Sequence, residues 1–203
     1  MSGAHINLGG RPREFDVDEA LDRALLLFWR FGYEGTSLAG LTQAMGISKP
    51  SLYAAFGTKE QLFRRALERY AEGPGSYASR ALGEPTSRSV AEATLRGAVE
   101  TTIMPAGFGG CLTVQGALVS SPGAKPAFDV LVEWRNAAGK QLEERFDRAL
   151  AEGDLPEDAR PARLARFVMT LVFGIAVQAA DGIGREELDE VVDDALLRWP
   201  TDA

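Results

Sequence analysis

Hydrophobic positions recur three and four residues apart along most of the 203-residue chain, the period of helices with one buried face. Leu21, Ala24, Leu25 and Phe28 form such a face behind Asp16, which with Glu19 has the spacing of a capping box. A first helix is therefore expected over 16–31, ended by Gly32. Leu38, Leu41 and Ala44 repeat the pattern on a shorter scale over 37–45. Gly46 then supplies a left-handed stop, Ile47 fills the angle, and Ser48 with Pro50 opens another short helix whose Leu52 and Phe56 face inward. Thr58 and Gln61 make a capping box for a fourth helix over 58–71, with Leu62, Ala66, Leu67 and Tyr70 on its apolar side and Arg64, Arg65 and Arg69 on a solvated face. Two short helices joined at a glycine turn form a helix-turn-helix, whose second helix can enter a DNA major groove.

Beyond residue 72 the pattern loosens. The run 73–89 is rich in Gly, Pro and Ser and reads as a loop or hinge. Helices are expected at 89–103, with Gly97 as a weak point, at 111–120, at 125–152, where Trp134 and Arg135 flank the apolar stripe, and at 162–180 and 186–199. Phe167 to Val177 is apolar nearly all round, so that helix needs neighbours on every side. In a chain of this size a second subunit is the expected neighbour. The fold class is all-α. A flexible basic arm is expected at 1–15, a three-helix DNA-binding unit at 16–71, and a larger helical domain at 72–203.

Composition removes several alternatives. No apolar run approaches the ~20 residues of a membrane span, the N-terminus lacks an apolar signal-peptide core, and one cysteine excludes an internal disulfide framework. A cytoplasmic protein without a membrane partner is expected. Enzymatic motifs are missing: there is no HExxH, no nucleophile–base pair and no dinucleotide fingerprint, and His5 is the only histidine. No metal or cofactor is expected. The Gly107-Phe108-Gly109-Gly110 run lacks the Gly-Lys-Ser/Thr of a phosphate loop. Net charge is −7, yet the first 70 residues carry nine Lys and Arg against eight Asp and Glu, so the acid belongs to the remainder.

On the second short helix, Lys49, Ser51, Tyr53 and Ala54 face outward, with no acid among them. Lys49, Pro50, Ser51 and Ala54 are the positions able to meet base edges. Lys59, in the first turn of the next helix, opposes the helix dipole unless an anion is near. Arg11 and Arg13 lie in a Gly-rich arm that either reaches a minor groove or is a plain terminus. A helical interaction protein without DNA binding would show acid or bulk on the reading face, and none is present.

The segment GYEGTSLAGLTQAMGISKPSLYAAFGTKEQLF resembles the DNA-binding domain of the tetracycline-repressor (TetR) family. The resemblance rests on the Gly32-Tyr33 loop, Thr36, the Gly46-Ile47-Ser48 turn, Leu52-Tyr53, Phe56 and Thr58-Lys59-Glu60. It implies that Tyr53 and Lys59 contact phosphates, that Thr36 and Ser37 lie near the DNA backbone, and that the fourth helix works as a lever. It also implies a ligand-binding and dimerisation domain at 72–203, with the last two long helices paired with their copies in a four-helix bundle. A twofold dimer would hold its reading helices about 34–36 Å apart on a near-palindromic double-stranded operator. The family's commonest behaviour is repression, released by a small-molecule effector held between central helices. Candidate walls for that effector are Phe108, Cys111, Gln115, Phe128, Trp134, Met169 and Phe173. Cys111 has two readings: a thiol-based redox sensor at a helix start, or a small buried hydrophobe.

Overall fold

The computed structural model describes residues 15–103, 110–116 and 121–200. Arg11, Arg13 and Phe108 lie outside them, as do the glycine run at 107–109 and the end of the helix expected at 111–120. Ten α-helices and no strand occur among the described residues.

The first four helices are set by their own caps. α1 (Val17–Gly35) starts where the Asp16 carboxylate accepts the Asp18 and Glu19 N–H groups at 2.8 and 3.1 Å. Glu19 does not close the box; it pairs with Arg23 one turn on. The helix breaks at Gly32, φ 68° and ψ 179°, at the expected stop. α2 (Leu38–Met45) is capped by Ser37 and ends on left-handed Gly46. α3 (Lys49–Phe56) is capped by Ser48 and carries Pro50 in its first turn. α4 (Lys59–Glu72) begins with both arms of the Thr58–Gln61 capping box, 2.8 and 3.2 Å. Behind them Phe28 meets Phe63 edge-on at 5.0 Å and Tyr33 at 6.2 Å, while Trp29 meets Tyr70 edge-on at 4.9 Å.

The run expected to be a loop after α4 holds helical structure in its first half: a 3-10 turn (Pro74–Ser76) and α5 (Tyr77–Ala81). The Ser76 hydroxyl closes the turn on the Gly73 carbonyl at 2.6 Å. Gly97 is not a weak point of α6 (Ser87–Thr102). A Cβ there would fall 2.4 Å from the Tyr77 ring, so the missing side chain is the seat on which α5 rests. α7 (Leu112–Gln115) is a single turn. α8 (Lys125–Ala151), α9 (Pro161–Ala180) and α10 (Arg185–Leu197) complete the chain.

Two apolar clusters result. One fills α1–α4 and continues into Leu112, Val114, Ala127, Val130 and Leu131. The other joins α6, the second half of α8, α9 and α10, and is closed by Trp199, whose indole stands 5.4 Å from Phe146. α8 belongs to both and ties them together. α9 matches the helix expected over 162–180. One face is buried through Ala165, Val168, Val172, Ile175 and Ala176. Phe167, Val177 and, on α10, Leu197 remain 43%, 42% and 81% exposed.

Candidate DNA-reading surface and effector cavity

Leu52 and Phe56 anchor α3 with 0% and 4% exposure. That anchoring turns Lys49, Pro50, Tyr53 and Ala54 to the outside, with Ser51 half-buried and its hydroxyl 2.8 Å from Ser48 Oγ. Lys49 Nζ stands 6.0 Å from the Tyr53 ring centroid. Ser37 is exposed, its Oγ accepting the Gly40 N–H at 3.0 Å. Lys59 Nζ lies 4.2 Å from the centre of the Tyr33 ring. Burial there pulls the ammonium below the usual lysine range, and Glu34 opposes the shift. The result is a convex edge with two lysines, a phenol and small groups, and no carboxylate on α3.

Three expectations about the head need correction. Thr36 is turned inward: it is 3% exposed, and its hydroxyl donates to the Gly32 carbonyl at 2.7 Å and the Leu27 carbonyl at 3.2 Å. The break at Gly32 frees those carbonyls, and Thr36 satisfies them. Arg65 and Arg69, expected on a solvated face with Arg64, are pins. Arg65 donates to the Ala55 carbonyl at 3.1 Å and lies over the Phe56 ring. Arg69 holds Asp22 of α1 through two bonds, 2.7 and 3.0 Å.

A cavity of about 760 Å³ opens beside the C-terminal end of α4, between α5, α6, α8 and α9. Cys111, Trp134, Met169 and Phe173 line it, as expected. Gln115 and Phe128 do not. Gln115 folds over Gly110, where an added Cβ would fall 2.2 Å from its amide nitrogen, and Phe128 packs against the first apolar cluster. Tyr70, Tyr77, Thr94, Thr113, Arg135 and Gln141 are also part of the wall and were missed. Only Arg135 gave a sequence signal, as a charge set beside the apolar stripe of α8. Cys111 is 5% exposed; its sulfur is 3.3 Å from the Tyr70 hydroxyl and 3.0 Å from that of Thr113.

Cavity and reading head share parts. α4 carries Lys59 at one end and Tyr70 at the other, about 16 Å along the axis, and Tyr70 is cavity wall. The α7 segment supplies Cys111 and Thr113 to the cavity and also grips the end of α1. The Trp29 indole donates to the Gly110 carbonyl at 3.0 Å, the Tyr33 N–H to the Gly116 carbonyl at 3.2 Å, and the Ser121 N–H to Glu34 at 3.2 Å. Ser121, through its side chain first and its N–H second, holds the Glu34 carboxyl below its usual range. At Gly32 a Cβ would meet the Gly116 carbonyl at 3.2 Å, so glycine also permits this docking.

A side-chain-capped helix-turn-helix pinned to a hollow helical body defines a class, the DNA-binding transcriptional regulators. The comparisons give the family. Residues 20–66 match bacterial regulatory proteins of the tetR family. The chain is 32% identical over 199 residues to the HTH-type transcriptional repressor ComR of Escherichia coli, covering 94% of this chain and 92% of ComR. It is 29% identical over 188 residues to the HTH-type transcriptional repressor BdcR of Escherichia coli, covering 88% and 86%. A cysteine mutant of the TetR family transcriptional regulator CifR, solved with 26-base-pair double-strand operator DNA, is 45% identical. It matches with a TM-score of 0.88 over 94% of this chain and 100% of that one. The chain belongs to the TetR family; it is a regulator, not an enzyme.

Proposed function

We propose that the chain is a dimeric repressor that binds a near-palindromic duplex operator and leaves it when a small molecule fills the cavity. The observation that carries this reading is the sharing of α4 and α7: both line the cavity and both hold the reading head. A ligand that moves Tyr70 or Cys111 therefore moves the seat of α3. Tyr53 and Lys59 serve as phosphate contacts, with Ser37 beside them, and Lys49, Pro50, Ser51 and Ala54 meet base edges. Arg11 and Arg13 follow the minor groove. The exposed apolar groups of α9 and α10, Phe167, Val177 and Leu197, face their copies in a four-helix bundle, which covers surface otherwise wet. ComR and BdcR are transcriptional repressors and CifR was solved with double-strand operator DNA, which supports the assignment to repression and to duplex DNA.

The test is selection of bound fragments from random duplex DNA, followed by titration of the selected site. Tyr53→Ala and Lys59→Ala should weaken all duplexes alike, and Lys59→Ala should also lower the salt slope by about one. Lys49→Ala should instead relax discrimination at one position, by about 1–3 kcal/mol. A protein that sediments as a monomer and retains no duplex at low salt overturns the proposal.

A further inference from the structure

We propose that the cavity binds a flat organic anion, an aromatic body bearing one carboxylate-type group, with the Arg135 guanidinium as the anion anchor. The inference rests on reading this cavity as the effector site and adds the chemistry of the effector.

The wall is aromatic on several sides: Tyr70, Tyr77, Trp134 and Phe173 surround space of about 760 Å³, room for fused rings with substituents. Arg135 is the one cation on that wall among the described residues. Its NH1 donates to the Thr113 carbonyl at 2.7 Å, and no carboxylate pairs with it among the described residues. The two acids at the wall are placed elsewhere: Glu133 reaches Arg64 at 3.8 Å, and Glu72 ends α4. The guanidinium is thus half-buried without a countercharge. Burial pulls it below the usual arginine range, a penalty that a bound anion relieves.

A neighbouring cavity carries the same sign. Arg135, Met169 and Phe173 also face a second cavity of about 310 Å³ between α8 and α9, whose wall adds Lys140 and Arg166 against Glu143. Lys140 has Glu144 at 3.6 Å, and Arg166 makes no ion pair among the described residues. The chain beyond residue 70 holds 21 acids against 13 bases, so these neighbouring cations run against their surroundings and concentrate anions locally.

The probes are 1-naphthaleneacetate and its neutral amide, which share a ring system and differ in charge. Calorimetric titration of the full chain should show the acid binding at least about tenfold tighter than the amide. In Arg135→Gln the two affinities should converge, with the amide still bound, and Arg135→Lys should restore part of the preference. Equal binding of acid and amide by the wild type, no binding of either, or a preference that survives Arg135→Gln overturns the anion anchor. The effector reading has its own check: Ala138→Trp fills the cavity from α8 and should change operator affinity whatever the ligand's charge. No change there counts against the cavity as effector site and leaves the acid-to-amide ratio to judge Arg135.

Discussion

The reading head and the helical body are built by different means. In the head, all four helices start on a side-chain cap: Asp16, Ser37, Ser48 and Thr58. In the body, α7, α8 and α9 start with no side-chain cap, and α10 starts at Gly184 with Glu187 accepting its N–H at 3.3 Å. Only α6 there has a full box, from Thr86 and Ser89. The head closes around interlocked rings, whereas the body encloses about 760 Å³ of space. A part that must present side chains to DNA at fixed angles is specified locally and packed tightly. A part that must admit a ligand is held by long helices leaning on each other, and leaves room between them.

The largest expected effect tests packing. Phe63 is fully buried and touches both Phe28 and Tyr33, at 5.0 and 5.2 Å. Phe63→Ala should cost about 3–5 kcal/mol. Met169→Ala, at the cavity wall, should cost less than about 1 kcal/mol, because its neighbour on one side is already empty space. Equal losses in urea unfolding would mean that the two regions are packed alike.

Gly97→Ala comes next. The new methyl would press into Tyr77, which is a ring and not a flexible tip, and should cost about 1–3 kcal/mol. Because Tyr77 also lines the cavity, the same change should weaken binding of any cavity ligand. Thermal unfolding and ligand titration of one sample check both.

The same contrast explains what the sequence made legible. Caps and glycine stops act within four residues, so Asp16, Ser48, Thr58, Gly32 and Gly46 could be placed from spacing alone. The helix-turn-helix and its outward face followed. Thr36 was misplaced because its partners are carbonyls released by the break at Gly32, a consequence of geometry and not of pattern. Arg69 meets Asp22 across 47 positions, and periodicity carries no information about such a pair. In the body, Tyr77 and Gly97 define each other across twenty residues, which hid α5 inside a run rich in Gly, Pro and Ser. Cavity walls and core walls use the same residues, so Trp134 and Met169 could not be told from Phe128 by type. Only Arg135 differed in kind.

Capping gives a smaller effect. Thr58→Ala should cost about 1 kcal/mol, whereas Arg160→Ala, at the uncapped start of α9, should stay within about 0.5 kcal/mol. If both cost the same, local caps do not distinguish the head from the body. Operator affinity should fall with Thr58→Ala as well, since the capping box sets Lys59.

The smallest effect at neutral pH is that of Tyr77→Phe. Burial, with help from Cys111, holds the Tyr77 phenol far above the ordinary tyrosine range, and Tyr70 is shifted the same way. In the unfolded chain each phenol ionises near pH 10. Above that pH and below the folded value, the folded protein holds more protons, so stability falls as pH rises; below it the phenols contribute no slope. The Tyr77 hydroxyl makes no side-chain hydrogen bond among the described residues. Removing it should therefore leave stability at about pH 8 within about 0.5 kcal/mol of wild type. At about pH 11 the variant should be the more stable of the two, because one buried proton no longer has to be kept against the solvent. In the head, burial and Glu60 also raise the Tyr33 phenol, but that ring is only half-buried, so Tyr33→Phe should give a smaller alkaline gain. Urea midpoints at the two pH values decide it. A Tyr77→Phe difference that does not change with pH would mean that the cavity-side phenol is as wet as it is in the unfolded chain.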